Sequence, residues 1–474
     1  MKKFPQAFLL LSAVLLLPLT VIRLVQSWKY DSHLDHVAGV WIALALDLKR
    51  GLFYRAPYGP SGYGGTRFFP LYFSLHAAAM KIAGWRAAGY FLSTVSIVLL
   101  LGGIYYLLRR MGSARWLASA GVLAALAGSS VQDSLLGIRE DGMAAMLSVW
   151  GVALCVNQPS RRRLFAAAVL FALAFATKES AIAAAAAVFA MLLLSKRFRL
   201  AWQFAGATAA GYACVLLAMY VASAGRAFAA FQYTIATGSN WQSLLYSPIS
   251  MEQAMHGYVA EVVLLVLGTA AFVAAGARGI LHLPWLWFLC TLGVTLVIFS
   301  SDGTAGNHLI ELHIAAIVMF ITWISDLQMQ DAGVAALAAA CLLAWMELLV
   351  QHRDVDAIPV RAQLQQIVQK IGATDKPILA DNPMVPITAG QQPYLLDAFM
   401  FRAISENVPG FSDPMWQMLR NRQFEAVVLV DNPDSDEGRD TYTNFHFGED
   451  FIPLMERQYQ AAGSVGEHFL FLPR

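Results

Sequence analysis

The chain has 474 residues, of which 58% are hydrophobic and only 14% charged, with a mean hydropathy of +0.54. Soluble domains carry about 25% charge and less than half apolar residues, so a purely soluble protein is excluded. Lys and Arg number 33 against 31 Asp and Glu. Divided at residue 350, the balance splits into 23 basic and 14 acidic residues in front and 10 and 17 behind. No nucleic-acid partner is expected. The asymmetry predicts an α-helical polytopic membrane domain over 1–350 and a small, soluble, acidic α/β domain over 351–474.

Lys2 and Lys3 precede an apolar run from Phe8 to Ile22 that has no small-x-small cleavage site before Trp28, which predicts an uncleaved first span. Further apolar runs fall at 88–108, 116–131, 141–157, 164–176, 180–195, 201–222, 259–276, 283–300, 308–325 and 332–350, about eleven transmembrane helices in all. Residues 68–84 are shorter and read as interfacial or re-entrant. Every second connection is basic: Arg109, Arg110 and Arg115; Arg161 to Arg163; Lys196, Arg197 and Arg199; Arg278. The positive-inside rule then puts the N-terminus in the cytoplasm of a cell inner membrane, and an odd number of spans puts the tail outside. The alternate connections hold most carboxylates, and two of them, 26–87 and 223–258, are long. In the tail, 359–372 and 413–423 read as helices. Ile378–Ala380 and Ala426–Val430 read as strands, and residues 463–472 as a closing hairpin. Cys155, Cys214, Cys290 and Cys341 sit in apolar runs without paired spacing, as small buried hydrophobes do.

The chemistry-bearing residues gather in the outer connections. Asp31 and Asp35 lie four apart in the first, so on a helix they share a face. A carboxylate there can take a proton from an attacking hydroxyl, or Asp31 can simply cap the helix. The Tyr58–Gly65 segment, with Tyr63, and then Arg67 follow; they suit an interfacial substrate contact or an ordinary aromatic belt. Arg139 and Asp141 stand at the mouth of a span, either gripping phosphate or pairing with each other. Lys178 and Glu179 are adjacent and so face different ways. Asn307, Glu311 and, less well, His308 share one face of a later span. His308 and His313 also suit satisfied interior histidines. The chain has no Walker loop, dinucleotide fingerprint, nucleophile elbow or zinc motif.

An Asp-bearing loop (YDSHLDH), a helix ending in GLFYR, the return RFFPLYF, an IRED loop, a TKES turn and GTAGNHLIELHIAA follow in order over residues 1–325. This succession resembles the GT-C superfamily of polytopic glycosyltransferases, in particular bacterial relatives of the family 39 protein mannosyltransferases and the lipid A aminoarabinose transferases. The resemblance implies transfer of a sugar from a polyprenyl phosphate, of undecaprenyl type, to a glycolipid, polysaccharide or protein acceptor. It makes Asp35 or Asp31 the first-loop catalytic carboxylate and Asp141 the second-loop one. Arg139, Lys178 and Arg67 become donors to the lipid phosphate. The first loop lacks the adjacent Asp-Glu of the mannosyltransferases and has His33 and His36 instead. Use of a divalent cation (Mg or Mn), with Asp35 and His36 as ligands, stays open. A secondary transporter or flippase is the alternative; it predicts ionisable groups near the bilayer midplane and a repeat.

Overall fold

The structure is a computed structural model that describes residues 4–157, 159–236, 240–276, 282–301, 303–353 and 359–474. Lys2, Lys3, Arg278 and Asp302 lie outside the described residues.

Helix α1 (Phe4–Tyr30) stops where Asp31 takes a left-handed conformation, φ 59°. α2 (His36–Lys49) then starts afresh, capped by Asp35, whose Oδ1 accepts the Ala38 amide at 2.8 Å. Asp31 and Asp35 therefore do not share a helix face: a turn lies between them, and the expected common face is lost. A small hairpin, β1 (Tyr58–Gly59) and β2 (Gly62–Tyr63), leads to α3 (Pro70–Ala79), ten residues and about 15 Å long, too short to cross hydrocarbon. The bundle continues through α4 (Trp85–Arg110), α5 (Arg115–Ala127), α6 (Ser129–Leu136), α7 (Asp141–Cys155), α8 (Arg161–Thr177), α9 (Ala183–Leu194) and α10 (Phe198–Ser223). The second long connection holds α11 (Arg226–Ala236) and α12 (Trp241–Ala254). Then come α13 (Val259–Ala275), α14 (Leu283–Ile298), a 3-10 turn at Gly306–Leu309, α15 (Ile310–Asp326) and α16 (Gln330–Arg353).

Among the described residues, five helical segments are long and apolar enough to cross a membrane: α1, α4, α10, the turn with α15, and α16. α5, α7, α9, α13 and α14 are apolar but hold only 12–17 residues, a rise of about 18–26 Å. Among the described residues helix length alone thus gives five full crossings and does not confirm the expected count of about eleven. The 116–131 run shows why: it breaks at Gly128, where a Cβ would come within 2.3 Å of the His313 ring. Small residues let the helices approach closely, as where Gly268 of α13 meets Ala316 of α15. Large apolar side chains such as Leu10, Val14, Leu217 and Val221 point outward, as lipid-facing surfaces do. The chain is a multi-pass membrane protein.

The C-terminal part starts with α17 (Val360–Ile371) and builds one four-stranded sheet in the order β3-β4-β6-β5, from β3 (Ile378–Ala380), β4 (Ala426–Leu429), β5 (Tyr459–Val465) and β6 (His468–Pro473). β3 and β4 run parallel, with Ile378 opposite Ala426, and are buried throughout, as sheet centres covered on both faces are. β4–β6 and β5–β6 are antiparallel. Helices α18 (Met384–Thr388), α19 (Ala398–Asn407), α20 (Asp413–Arg420), α21 (Asp436–Asp440) and α22 (Phe451–Gln458) pack round it, with a π-helical turn at Thr441–His446. The sheet was anticipated; the extension of β5 back to Tyr459 was not.

The first connection and the C-terminal part are pinned together in three places. Asp31, fully buried, is bridged by Arg86 and by Arg361 of α17, each at 2.9 Å. Asp47 takes a buried pair with Arg55 at 2.5 Å and a hydrogen bond from Gln392 at 2.9 Å, while Arg55 also donates to the Pro393 carbonyl. Tyr63 exchanges backbone hydrogen bonds with Tyr394 and Leu396, and its hydroxyl donates to the Phe411 carbonyl at 3.0 Å.

Candidate active site

Four short segments converge at one end of the bundle. The N-terminus of α2 brings Asp35. The turn before α7 brings Arg139, and α7's first residue is Asp141. The C-cap of α8 is Lys178, followed by Glu179; the turn before α15 brings Asn307 and His308. Helix ends suit this purpose because their unsatisfied backbone groups already need polar surroundings.

Arg139 donates to the Asp35 carboxylate, an ion pair in which the Asp35 side chain is 36% exposed and that of Arg139 16%. Asp141 is buried and accepts from Lys178 and, at 3.0 Å, from Asn307. Arg139 and Asp141 therefore do not pair with each other; each has found a partner from a different segment. Burial would raise the Asp35 carboxyl, but the Arg139 and His36 charges and the Ala38 amide outweigh it and hold it below its ordinary value. Burial, and then the nearby Arg23 charge, push His33 down to about 4.

Arg139 lines two cavities, and Asp35 lines one of them. One, of about 260 Å³, is lined by Arg67, Arg139, Lys178, Glu179, Asn307 and His308, and from the C-terminal part by Asp397, Phe399, Phe445 and His446. The other, of about 300 Å³, is lined by Ser32, His33, Asp35, His36, Asp133 and Arg139, with Asn382, Glu467 and His468 opposite. Arg67 lies 4.5 Å over the Phe399 ring and, among the described residues, has no carboxylate within ion-pair distance. A small void deeper in the bundle touches Asp141, Lys178, His308 and Glu311, and Glu311 accepts from the Trp287 indole at 3.0 Å.

Of the expected site residues, Arg67, Arg139, Lys178, Glu179, Asn307 and His308 meet around the first cavity, and Asp35 lines the second, which shares Arg139 with the first. Asp141 supports the first cavity from below, and Glu311 sits deeper still. Asp31 and Tyr63 are elsewhere, spent on holding the C-terminal part, because the turn at Asp31 and the bridge at Tyr63 carry both away from the cavities. Sequence reasoning passed over Arg55, a buried partner whose pairing with Asp47 eight residues earlier gave no helical spacing to notice. It also passed over Glu261, which accepts from Ser129 and Ser130 and lies 3.9 Å from His313. Nor did it single out His446, although a histidine among aromatics (NFHF) was a readable signal.

Among the described residues no group of three or more His, Cys, Asp or Glu is placed to hold a metal. Asp35 is engaged by Arg139 and by its capping amide, and the His36 ring meets that of His446 edge-on at 5.9 Å. These residues do not fit a Mg or Mn cage.

The architecture is the GT-C fold, that of polytopic membrane glycosyltransferases. The chain is similar to ArnT, the lipid A aminoarabinose transferase, from Cupriavidus metallidurans in the apo state: TM-score 0.58 and 13% identity over 96% of this chain and 97% of that one. The same protein bound to undecaprenyl phosphate gives 0.55 and 12% over 97% and 98%. The oligosaccharyltransferase of Archaeoglobus fulgidus, in complex with Zn and sulfate, gives 0.59 and 14% over 98% of this chain and 73% of that one. No family model and no curated protein matches the sequence.

Proposed function

We propose that the chain is a glycosyltransferase that moves a sugar from a polyprenyl phosphate to an acceptor hydroxyl at the outer face of the inner membrane. It would have a cytoplasmic N-terminus, about eleven passes, and an extracytoplasmic domain over 351–474. The observation that carries the reading is Arg139, paired with Asp35 and lining two cavities, one of which gathers Arg67, Arg139 and Lys178 beside Glu140 and Glu179. The fold shared with ArnT, which has been seen with undecaprenyl phosphate, supports a lipid phosphate as the ligand of that cationic cavity. Nucleotide sugars are confined to the cytoplasm, so an outer-face enzyme needs its sugar on a lipid.

The chemistry follows from what Arg139 touches. At rest its guanidinium neutralises Asp35. A donor phosphate entering the cationic cavity competes for the same guanidinium, and its capture releases the carboxylate towards the second cavity, where the acceptor stands. Asp35 takes the hydroxyl proton as the acceptor oxygen bonds to the anomeric carbon. The bond from that carbon to the phosphate oxygen breaks, and Arg139, Lys178 and Arg67 meet the charge left on the lipid phosphate. One displacement inverts the configuration; a product of retained configuration would exclude this scheme.

The test is transfer of labelled sugar from polyprenyl phosphate donors to endogenous acceptors, in membranes holding wild type or Asp35→Asn. Transfer by wild type alone supports the reading. A chain that transfers from no donor but moves lipid-linked sugars between leaflets would be a flippase.

A further inference from the structure

The C-terminal part closes the cationic cavity with a wall of a different chemistry. Phe399 and Phe445 present rings 5.6 Å apart at a tilt of 55°. Asp397 caps α19 by accepting the Met400 amide at 3.1 Å through Oδ1, which leaves its second oxygen free of that duty. The His446 ring, 8% exposed, has an Nδ1 without a hydrogen-bond partner among the described residues; the nearest carboxylate, Asp381, is 3.9 Å away. The facing loop is fitted to these rings. At Gly303, φ 79°, a Cβ would lie 3.2 Å from Phe399 and 3.3 Å from Phe445.

We propose that Asp397, Phe445 and His446 form the sugar-recognising wall of the donor cavity, so that the C-terminal part selects which hydroxylated ring is transferred. The inference rests on the glycosyltransferase reading. Its physical basis is the polarity of the cavity. The bundle side of the cavity carries Arg67, Arg139 and Lys178 beside the Glu140 and Glu179 carboxylates, whereas the C-terminal side carries Asp397 and no lysine or arginine, so a phosphate finds its cations only on the bundle side. The sugar, one bond from that phosphate, then faces the wall. A pyranose ring offers an apolar C–H face and a rim of hydroxyls. Aromatic rings suit the first, and a carboxylate and a neutral imidazole suit the second, accepting or donating as each hydroxyl requires. The acceptor has its own cavity across Asp35 and does not compete for this wall.

The experiment uses the full chain in detergent. Affinities are measured for undecaprenyl phosphate and for its synthetic glucosyl, galactosyl, mannosyl and arabinosyl esters, in wild type, Asp397→Asn, Phe445→Leu, His446→Gln and Arg67→Gln. Asn keeps the helix cap and Leu keeps apolar volume, so the variants are expected to fold, and thermal midpoints check this. The expected result is that wild type binds at least one ester tenfold or more tighter than the bare phosphate. The three wall variants should each erode that ratio at least fivefold, while Arg67→Gln lowers both affinities together and leaves the ratio. A ratio of one in wild type, or one that the wall variants do not move, overturns the inference. Failure of wild type to bind undecaprenyl phosphate at all overturns the glycosyltransferase reading itself.

Discussion

Replacing Asp35 by Asn separates three roles that one carboxylate plays. As a helix cap, Asn serves as well as Asp, so α2 keeps its start. As the partner of Arg139, Asn cannot supply charge. Breaking a fully buried pair costs 3–5 kcal/mol, but Asp35 is about one-third exposed, and solvent screening lowers the penalty to about 1–2 kcal/mol. As the base, Asn is inert, and the expected loss in sugar transfer is about 10²- to 10⁴-fold. Asp35→Ala should lose the same activity and destabilise by about 1 kcal/mol more, the value of the cap. The assays are labelled-sugar transfer at matched protein abundance and the thermal midpoint of the purified variants. An Asn variant retaining more than a tenth of wild-type transfer would refute the assignment of the base. Equal midpoints for Asn and Ala would refute the capping argument.

Three further outcomes are expected. With Asp35 as the base, the acid limb of kcat/KM lies below the ordinary carboxylate range, because pairing holds its carboxyl down in the free enzyme; a limb near pH 6.5 would point to a histidine instead. Asp31→Asn should destabilise by about 1–3 kcal/mol, and Arg361→Gln by less, since Arg86 remains to pair with Asp31; the thermal midpoint should fall in both, and unchanged midpoints would count against the latch. Asp381, buried beside β4, has its carboxyl pushed up to about 7 by desolvation and further by Asp431. Its folded form binds more protons than the unfolded chain between about pH 4 and 7 and so loses stability as pH rises through that window. Asp381→Asn, which can still accept from Tyr442 and Val430, should match wild type near pH 4 and exceed it by a few kcal/mol at pH 8. A difference that does not change with pH would show that Asp381 is ionised throughout.

The apolar runs were legible because hydrophobicity is a local property. The long helices α1, α4, α10 and α16 correspond to the expected runs. Helix ends inside a run were not legible: the interruption at Gly128 packs against His313, 185 positions further on, and such a contact belongs to the fold. The tail strands Ile378–Ala380 and Ala426–Leu429 were readable from dense β-branched and aliphatic residues bounded by turns. In the site, residue types at the ends of spans identified Arg139, Lys178 and Asp35, but their pairing was not readable. Charges on separate segments choose partners through the fold, so Arg139 went to Asp35 and Asp141 to Lys178. Asp31 and Tyr63 were misleading for the same reason: Asp31 is held by Arg361 as well as Arg86, and Tyr63 by residues 394–411, so each has partners more than 300 residues away.

The strand exchange between Tyr63 and residues 394–396 also sets a timetable for synthesis. At 5–20 residues per second, roughly 15 to 70 s separate the emergence of Tyr63 from that of its partner. Asp47 and Arg55 can meet almost at once, being eight residues apart, whereas Gln392 and Pro393 arrive late to complete their cluster. Through that interval the first connection presents unpaired backbone and the rings of Tyr58 and Tyr63 without their partners. The first loop therefore matures last, and nascent chains halted before residue 390 should be the ones that quality-control proteases cut at the 58–63 hairpin.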